Sequence, residues 1–379
     1  MQIHVVKKGE SLWDLSRRFG IPIDQIINVN QLETPEKIVV GQALIIPTST
    51  PVTAKPVIDV NAYTINTGET GAEEIHSAGE DLTYWMPFAY RMTATGGLEA
   101  LDDAAMIQAA LAERVVPVLC ITNFSATEAG STLAHTILSN NDIQERLLTN
   151  IISLMKEKGY RGINIDFENV LPADRVLYNQ FLQRSVDRLH PEGFFVSTAL
   201  APKVSGEQKG LLYEAHDYEA HGRIVDFVVL MTYEWGYRLG PPQAISPLNQ
   251  IKRVLDYAVT VIPRDKIFFG FQIYARDWVL PHVPGSEAET FSQQEAVRRA
   301  VQHNVAIQYD ETAQSPFFRY ADDQGQTHEV WFEDARSAQA KFNTVKNYNL
   351  RGISYWVLGY PYPQNWVLLE DNFTIRKRM

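Results

Sequence analysis

The chain has 379 residues, more than the ~100–200 of one typical domain, and 45% are hydrophobic against 21% charged. A net charge of −11 argues against an electrostatic grip on nucleic acid or anionic lipid, and no apolar run approaches the ~20 residues a membrane helix needs. The single cysteine, Cys120, stands in an apolar stretch, which excludes a disulfide framework or a cysteine-based metal site and reads as a buried structural thiol.

Residues 1–50 hold five Lys/Arg and five Asp/Glu, so the whole −11 belongs to residues 51–379. Ile3, Val5 and Lys7 alternate with His4, Val6 and Lys8 as a short strand. Gly9 turns the chain, and Ser11 can cap a helix over Leu12, Leu15 and Phe19. Pro22 suits a first helical position before Ile23, Ile26 and Ile27, and after Gly41 the run Ala43, Leu44, Ile45, Ile46 is a returning strand. Residues 48–56 carry two prolines and four hydroxyl side chains, a linker composition that separates a module at 1–47 from the remainder at 57–379. The N-terminus lacks the long apolar core of a signal peptide, so general secretion is not expected.

After the linker, apolar strand-like runs at 57–63, 82–88, 115–121, 162–168, 194–200, 225–233, 267–274 and 352–357 alternate with helical patterns, clearest at 143–158, 175–189, 248–261, 293–303 and 335–347. This order predicts an α/β fold, a (β/α)8 TIM barrel with its chemistry at the C-terminal ends of the strands. The long connection between the seventh and eighth strands contains strand-like and turn-like pieces, and predicts a small α+β insertion at about 276–333.

The fourth strand reads Gly162-Ile163-Asn164-Ile165-Asp166-Phe167-Glu168. Its apolar residues share one face, which meets the helices, and Asn164, Asp166 and Glu168 share the other, which points into the barrel. Burying an amide and two carboxyls there costs several kcal/mol unless they bond one another and a function needs them. Two carboxyls held close repel, so the outermost can stay protonated near neutral pH. Glu168 is therefore the expected general acid and Asp166 its partner.

Residues 2–47 resemble a LysM module through Val5, the turn Gly9-Glu10-Ser11-Leu12, Phe19-Gly20, Asn28, Asn30-Gln31-Leu32 and the closing Gly41 to Pro47. The resemblance implies binding of N-acetylglucosamine-containing glycans, peptidoglycan or chitin, in a groove between Gly9, Glu10, Ser11, Leu12 and the loop around Ile38. Residues 57–370 resemble glycoside hydrolase family 18, whose strand pattern Asp-Gly-x-Asp-x-Asp-x-Glu stands here with Arg161 and Asn164 in place of the first two acids. Met231-Thr232-Tyr233-Glu234 is similar to the family's Met-x-Tyr-Asp, with Glu234 for Asp, and Tyr355-Trp356 to its final strand. Ile121-Thr122-Asn123-Phe124 replaces the family's Ser-x-Gly-Gly. Together with Ser315 to Tyr320, these features resemble the SleL/YaaH group of spore cortex-fragment-lytic N-acetylglucosaminidases, proteins made in the mother cell without a signal peptide and deposited in the spore.

The resemblance implies retaining, substrate-assisted hydrolysis without a cofactor. Glu168, Asp166 and Tyr233 would be catalytic, and Asn164, Trp356, Glu234 and Asn123 would meet the substrate. A chitin-oligosaccharide hydrolase and a non-catalytic lectin remain alternatives. The histidines show no metal-ligand spacing; only His216 and His221 come near it, and they read as a solvated helix face, so no metal is expected. Trp235, Tyr237, Trp278 and Trp331 suit either sugar stacking or packing. The expected partner is a glycan, with no nucleic acid or membrane, and a monomer is expected.

Overall fold

Gln2–Val5 and Ala43–Ile46 pair antiparallel and enclose two eight-residue helices, in a computed structural model that describes residues 1–48, 54–126 and 128–379. Of the linker expected at 48–56, residues 49–53 lie outside the described residues. Ser11 starts the helix Leu12–Phe19 through a capping box: its hydroxyl accepts from the Asp14 N–H, and the Asp14 carboxylate accepts from the Ser11 N–H at 2.9 Å. Pro22 stands just outside the helix Ile23–Asn30, one residue before the first helical position. The buried Asn30 ties this helix to the returning strand, donating to the Ile26 and Ile45 carbonyls and accepting from the Ile45 N–H, each at 2.8 Å.

The eight expected strands form a closed parallel barrel: Val57–Thr64, Tyr84–Pro87, Val116–Thr122, Gly162–Asp166, Phe195–Leu200, Phe227–Leu230, Ile267–Gln272 and Gly352–Trp356. Pairing of the eighth strand with the first closes the ring, with Gly352 opposite Asp59. The approach there is so close that a Cβ on Gly352 would lie 1.7 Å from the Asp59 carbonyl oxygen. Apolar strand faces pack outward on the helices, and Cys120 is buried as expected.

Between the seventh and eighth strands the chain builds a five-stranded antiparallel sheet and the helix Gln293–Gln302. The strand Tyr274–Leu280 follows directly from the seventh barrel strand and carries this sheet over the barrel mouth. The N-terminal module rests against the same insertion and the last helices. Val40 accepts from the Ile307 N–H at 2.8 Å, Gly41 from Arg336 at 2.9 Å, and Ala43 from Gln364 at 2.9 Å. No described helix is long and apolar enough to cross a membrane.

Candidate active site

The alternation in the fourth strand works as its pattern requires. Ile163 and Ile165 are fully buried on the helix side, and Phe167 stacks on Tyr178 and Phe181 of the helix Arg175–Leu189, with ring centroids 5.4 and 5.7 Å away. The other row climbs the barrel interior from Asn164 through Asp166 to Glu168, the last two lining a cleft of ≈ 500 Å³ at the C-terminal mouth. Tyr233, Glu234 and Trp356 line the same cleft, as do Phe88, Tyr213 and Tyr237.

Asp166 is 3% exposed, and its carboxyl makes no hydrogen bond among the described residues. Burial raises its pKa well above the usual carboxylate range, and the Glu168 charge raises it further. Glu168 is pushed up to about 7, by burial first and then by the charge of Glu234. The site thus holds a carboxyl that keeps its proton near neutrality beside a second, buried one whose Oδ1 has no hydrogen-bond partner among the described residues.

Asn164 is not at the cleft surface, contrary to the expectation that it meets substrate. It is fully buried one layer below, accepting from the Tyr63 hydroxyl and donating to Ser197, both at 3.1 Å. Asn123 also does not line the cleft. Its amide donates to the Glu168 carbonyl at 2.7 Å and to the Gly130 carbonyl at 2.9 Å, while its oxygen accepts from the Glu168 N–H at 2.8 Å. With donors and acceptor engaged, Asn123 holds the backbone of Glu168 instead of a sugar.

His216 completes this hold and corrects the reading of His216 and His221 as solvated. Both are buried, because Asp217 caps the short helix Tyr218–Ile224 and leaves His216 before it, facing inward, while His221 meets Thr198 and Tyr178. His216 Nδ1 accepts from the Ala201 N–H and its Nε2 therefore donates to the Phe167 carbonyl, both at 2.8 Å. Burial holds its pKa down at about 4, so the ring stays neutral. Nothing in local spacing points to this contact, which joins residues 49 apart.

Glu234 adopts a left-handed backbone, φ 69°, and its carboxylate accepts from the Tyr274 hydroxyl and from Arg276 Nη1 at 3.0 Å. Both partners come from the inserted sheet, which sequence spacing could not identify. The Tyr233 ring lies near parallel to Trp356, 6.3 Å between centroids, and Phe88 meets Trp356 edge-on at 5.0 Å. Of the four open aromatics, Trp235 and Tyr237 line the cleft, whereas Trp278 and Trp331 stand on strands of the inserted sheet and are buried in one cluster with Ala244 and Ile245.

In the module, Glu10, Ser11, Leu12 and Ile38 line a separate groove, and Gly9 forms the turn beside it with φ 81°. Among the described residues no cluster of three or more His, Cys, Asp or Glu could hold a metal ion.

Known proteins resemble the chain over both of its parts. Residues 4–47 match the LysM domain model, and residues 128–360 match that of glycosyl hydrolases family 18. The chain is 43% identical to the cortical fragment-lytic enzyme of Bacillus subtilis, with 100% of this chain and 99% of that protein covered. The crystal structure of the Bacillus megaterium spore cortex-lytic enzyme SleL superposes with a TM-score of 0.95 at 38% identity, over 100% of this chain and 99% of that one. The corresponding Bacillus cereus structure gives 0.83 at 42% identity, over 99% and 87%. The chain belongs to glycoside hydrolase family 18, with a LysM module at its N-terminal end.

Proposed function

We propose that this glycoside hydrolase cleaves N-acetylglucosaminyl linkages in peptidoglycan fragments of the bacterial spore cortex, with retention of configuration. Glu168 protonates the glycosidic oxygen while the acetamido oxygen of the substrate attacks the anomeric carbon. The C–O bond to the leaving sugar breaks, an oxazolinium ion forms, and water activated by the deprotonated Glu168 opens it. Asp166 accepts the acetamido N–H, the Tyr233 hydroxyl hydrogen-bonds the acetamido oxygen, and Trp356 lies under the ring. These contacts strengthen as positive charge develops, so they act on the transition state.

The observation that carries the reading is the buried Asp166 carboxyl, whose Oδ1 has no hydrogen-bond partner among the described residues, two residues before a carboxyl whose pKa is raised to about 7. The names of the relatives support spore cortex as the polymer and the spore as the location. Synthesis in the mother cell is part of the proposal, and a fluorescent fusion followed through sporulation tests it.

Mass spectrometry of products from cortex fragments, from chitin oligomers and from de-N-acetylated fragments tests the reaction. Cleavage of acetylated cortex fragments and inertness of the de-N-acetylated ones is the expected result. Release from chitin alone would move the polymer, and release of nothing would leave a lectin.

A further inference from the structure

The glycan groove of the module is walled by more than the module. Its ≈ 550 Å³ lie between the turn at 10–13 and the loop at 35–39, and one side is completed by Val301 and Asn304, at the end of the insertion helix Gln293–Gln302. The loop wall is itself carried by the insertion. Val39 is buried in one cluster with Val301 and Ile307, and Gly41, at φ +84°, sits where a Cβ would stand 1.8 Å from the Ile307 carbonyl oxygen. Only glycine permits that approach.

The polar side chains that the module's turn offers to this groove are already engaged. The Glu10 carboxylate accepts from the Lys7 N–H at 2.8 Å and from Arg18 at 2.6 Å, and it also bonds His4. The Ser11 hydroxyl is held in its capping box with Asp14. Asn304 differs: it is exposed, and its carboxamide makes no hydrogen bond among the described residues. Its φ of 51° is a left-handed conformation that asparagine tolerates. A carboxamide supplies both donors and an acceptor, the complement of a sugar's hydroxyl and acetamido groups.

We propose that the glycan site of the LysM module is composite, with Asn304 of the barrel insertion hydrogen-bonding an N-acetylglucosaminyl unit of a peptidoglycan strand in the module's groove. The proposal rests on the module's glycan binding and is independent of the hydrolytic mechanism. It also gives the insertion two roles, since its strand Tyr274–Leu280 delivers Tyr274 and Arg276 to Glu234 in the catalytic cleft.

The test uses the full chain carrying Glu168→Gln, depleted from solution by insoluble spore peptidoglycan and, separately, by chitin. Asn304→Gly suits the local backbone and removes only the amide side chain. Loss of a single net hydrogen bond predicts binding weaker by about two- to tenfold on peptidoglycan. A similar loss on chitin supports recognition of the shared sugar. Trp13→Ala, at an exposed ring on the groove wall, separates the two readings. Parental binding by Asn304→Gly alongside weakened binding by Trp13→Ala would confine the site to the module and overturn the proposal. Parental binding by both variants would overturn it together with the groove assignment, and a loss on chitin alone would overturn the choice of peptidoglycan.

Discussion

Glu168 keeps its proton for two reasons that can be separated by substitution. Burial raises its pKa to about 7, and the Glu234 charge contributes second. Catalysis by an acid of this kind falls as pH rises through that value. Glu168→Gln should lose roughly 10²–10⁴-fold in kcat/KM on cortex fragments, the size of a general-acid contribution. Glu234→Gln removes the charge that raises the acid's pKa, so the alkaline limb of its kcat/KM profile should move to lower pH; an unmoved limb would detach Glu234 from the acid. The same burial opposes folding. A carboxyl whose folded pKa is raised above its unfolded value binds more protons when folded, so stability declines between the two values as pH rises. Thermal melts of Glu168→Gln should show a higher Tm than the parent, with a gain absent near pH 4, growing up to about pH 7 and constant above it.

At the scale of the element, the strand places Glu168 but does not hold it, because Gly162–Asp166 ends two residues earlier. The hold comes from neighbouring elements: Asn123, past the third barrel strand, grips the Glu168 peptide on both sides, and His216, past the fifth, grips the Phe167 carbonyl. Misplacement of a reacting group by about 1 Å can cost 10²-fold in rate. Asn123→Ala should therefore lower kcat about ten- to a hundredfold with KM little changed, and it should shift the alkaline limb as the carboxyl moves. A purely structural role would lower Tm and leave the pH profile alone. His216 reads as solvated from sequence because His-Asp-Tyr-Glu-Ala-His looks polar along its length, and the cap at Asp217 that turns the first histidine inward is a local detail that periodicity does not report. The helices Ala104–Ala112 and Gly130–Leu138 were not prominent in the pattern either. The first is apolar nearly all round and shows no clean 3.6-residue stripe, and the second confines its stripe, Leu133, Ala134, Ile137 and Leu138, to its last six residues after a Gly-Ser-Thr start.

Across the whole molecule, closure and docking both depend on backbone contacts that only glycine allows. The barrel seam brings Gly352 against Asp59, where an added methyl would lie 1.7 Å from a carbonyl oxygen. Gly352→Ala should open this seam and cost several kcal/mol, read as a large drop in the urea midpoint, because neither strand can retreat without losing ladder bonds. The module is joined to the barrel by hydrogen bonds at Val40, Gly41 and Ala43 and by Val39 in the insertion's core. Scanning calorimetry should accordingly show the module and barrel unfolding in one transition, and Gly41→Ala should split it or add a lower-temperature shoulder.

Eight apolar runs, the in-register row of Asn164, Asp166 and Glu168, and the LysM and family 18 motifs were legible from residue order alone. Such patterns record which side of a strand meets apolar neighbours, and that is a local property. Depth along the barrel axis is not local, which is why Asn164 proved to lie beneath the cleft and Asn123 behind it. The engagement of Glu234 by Tyr274 and Arg276, the inward turn of His216 and the meeting of Val301 and Asn304 with the module's groove join residues 40 or more positions apart. Those pairings exist because ring closure and docking bring distant backbone together, and no periodicity of 2 or 3.6 residues can encode them.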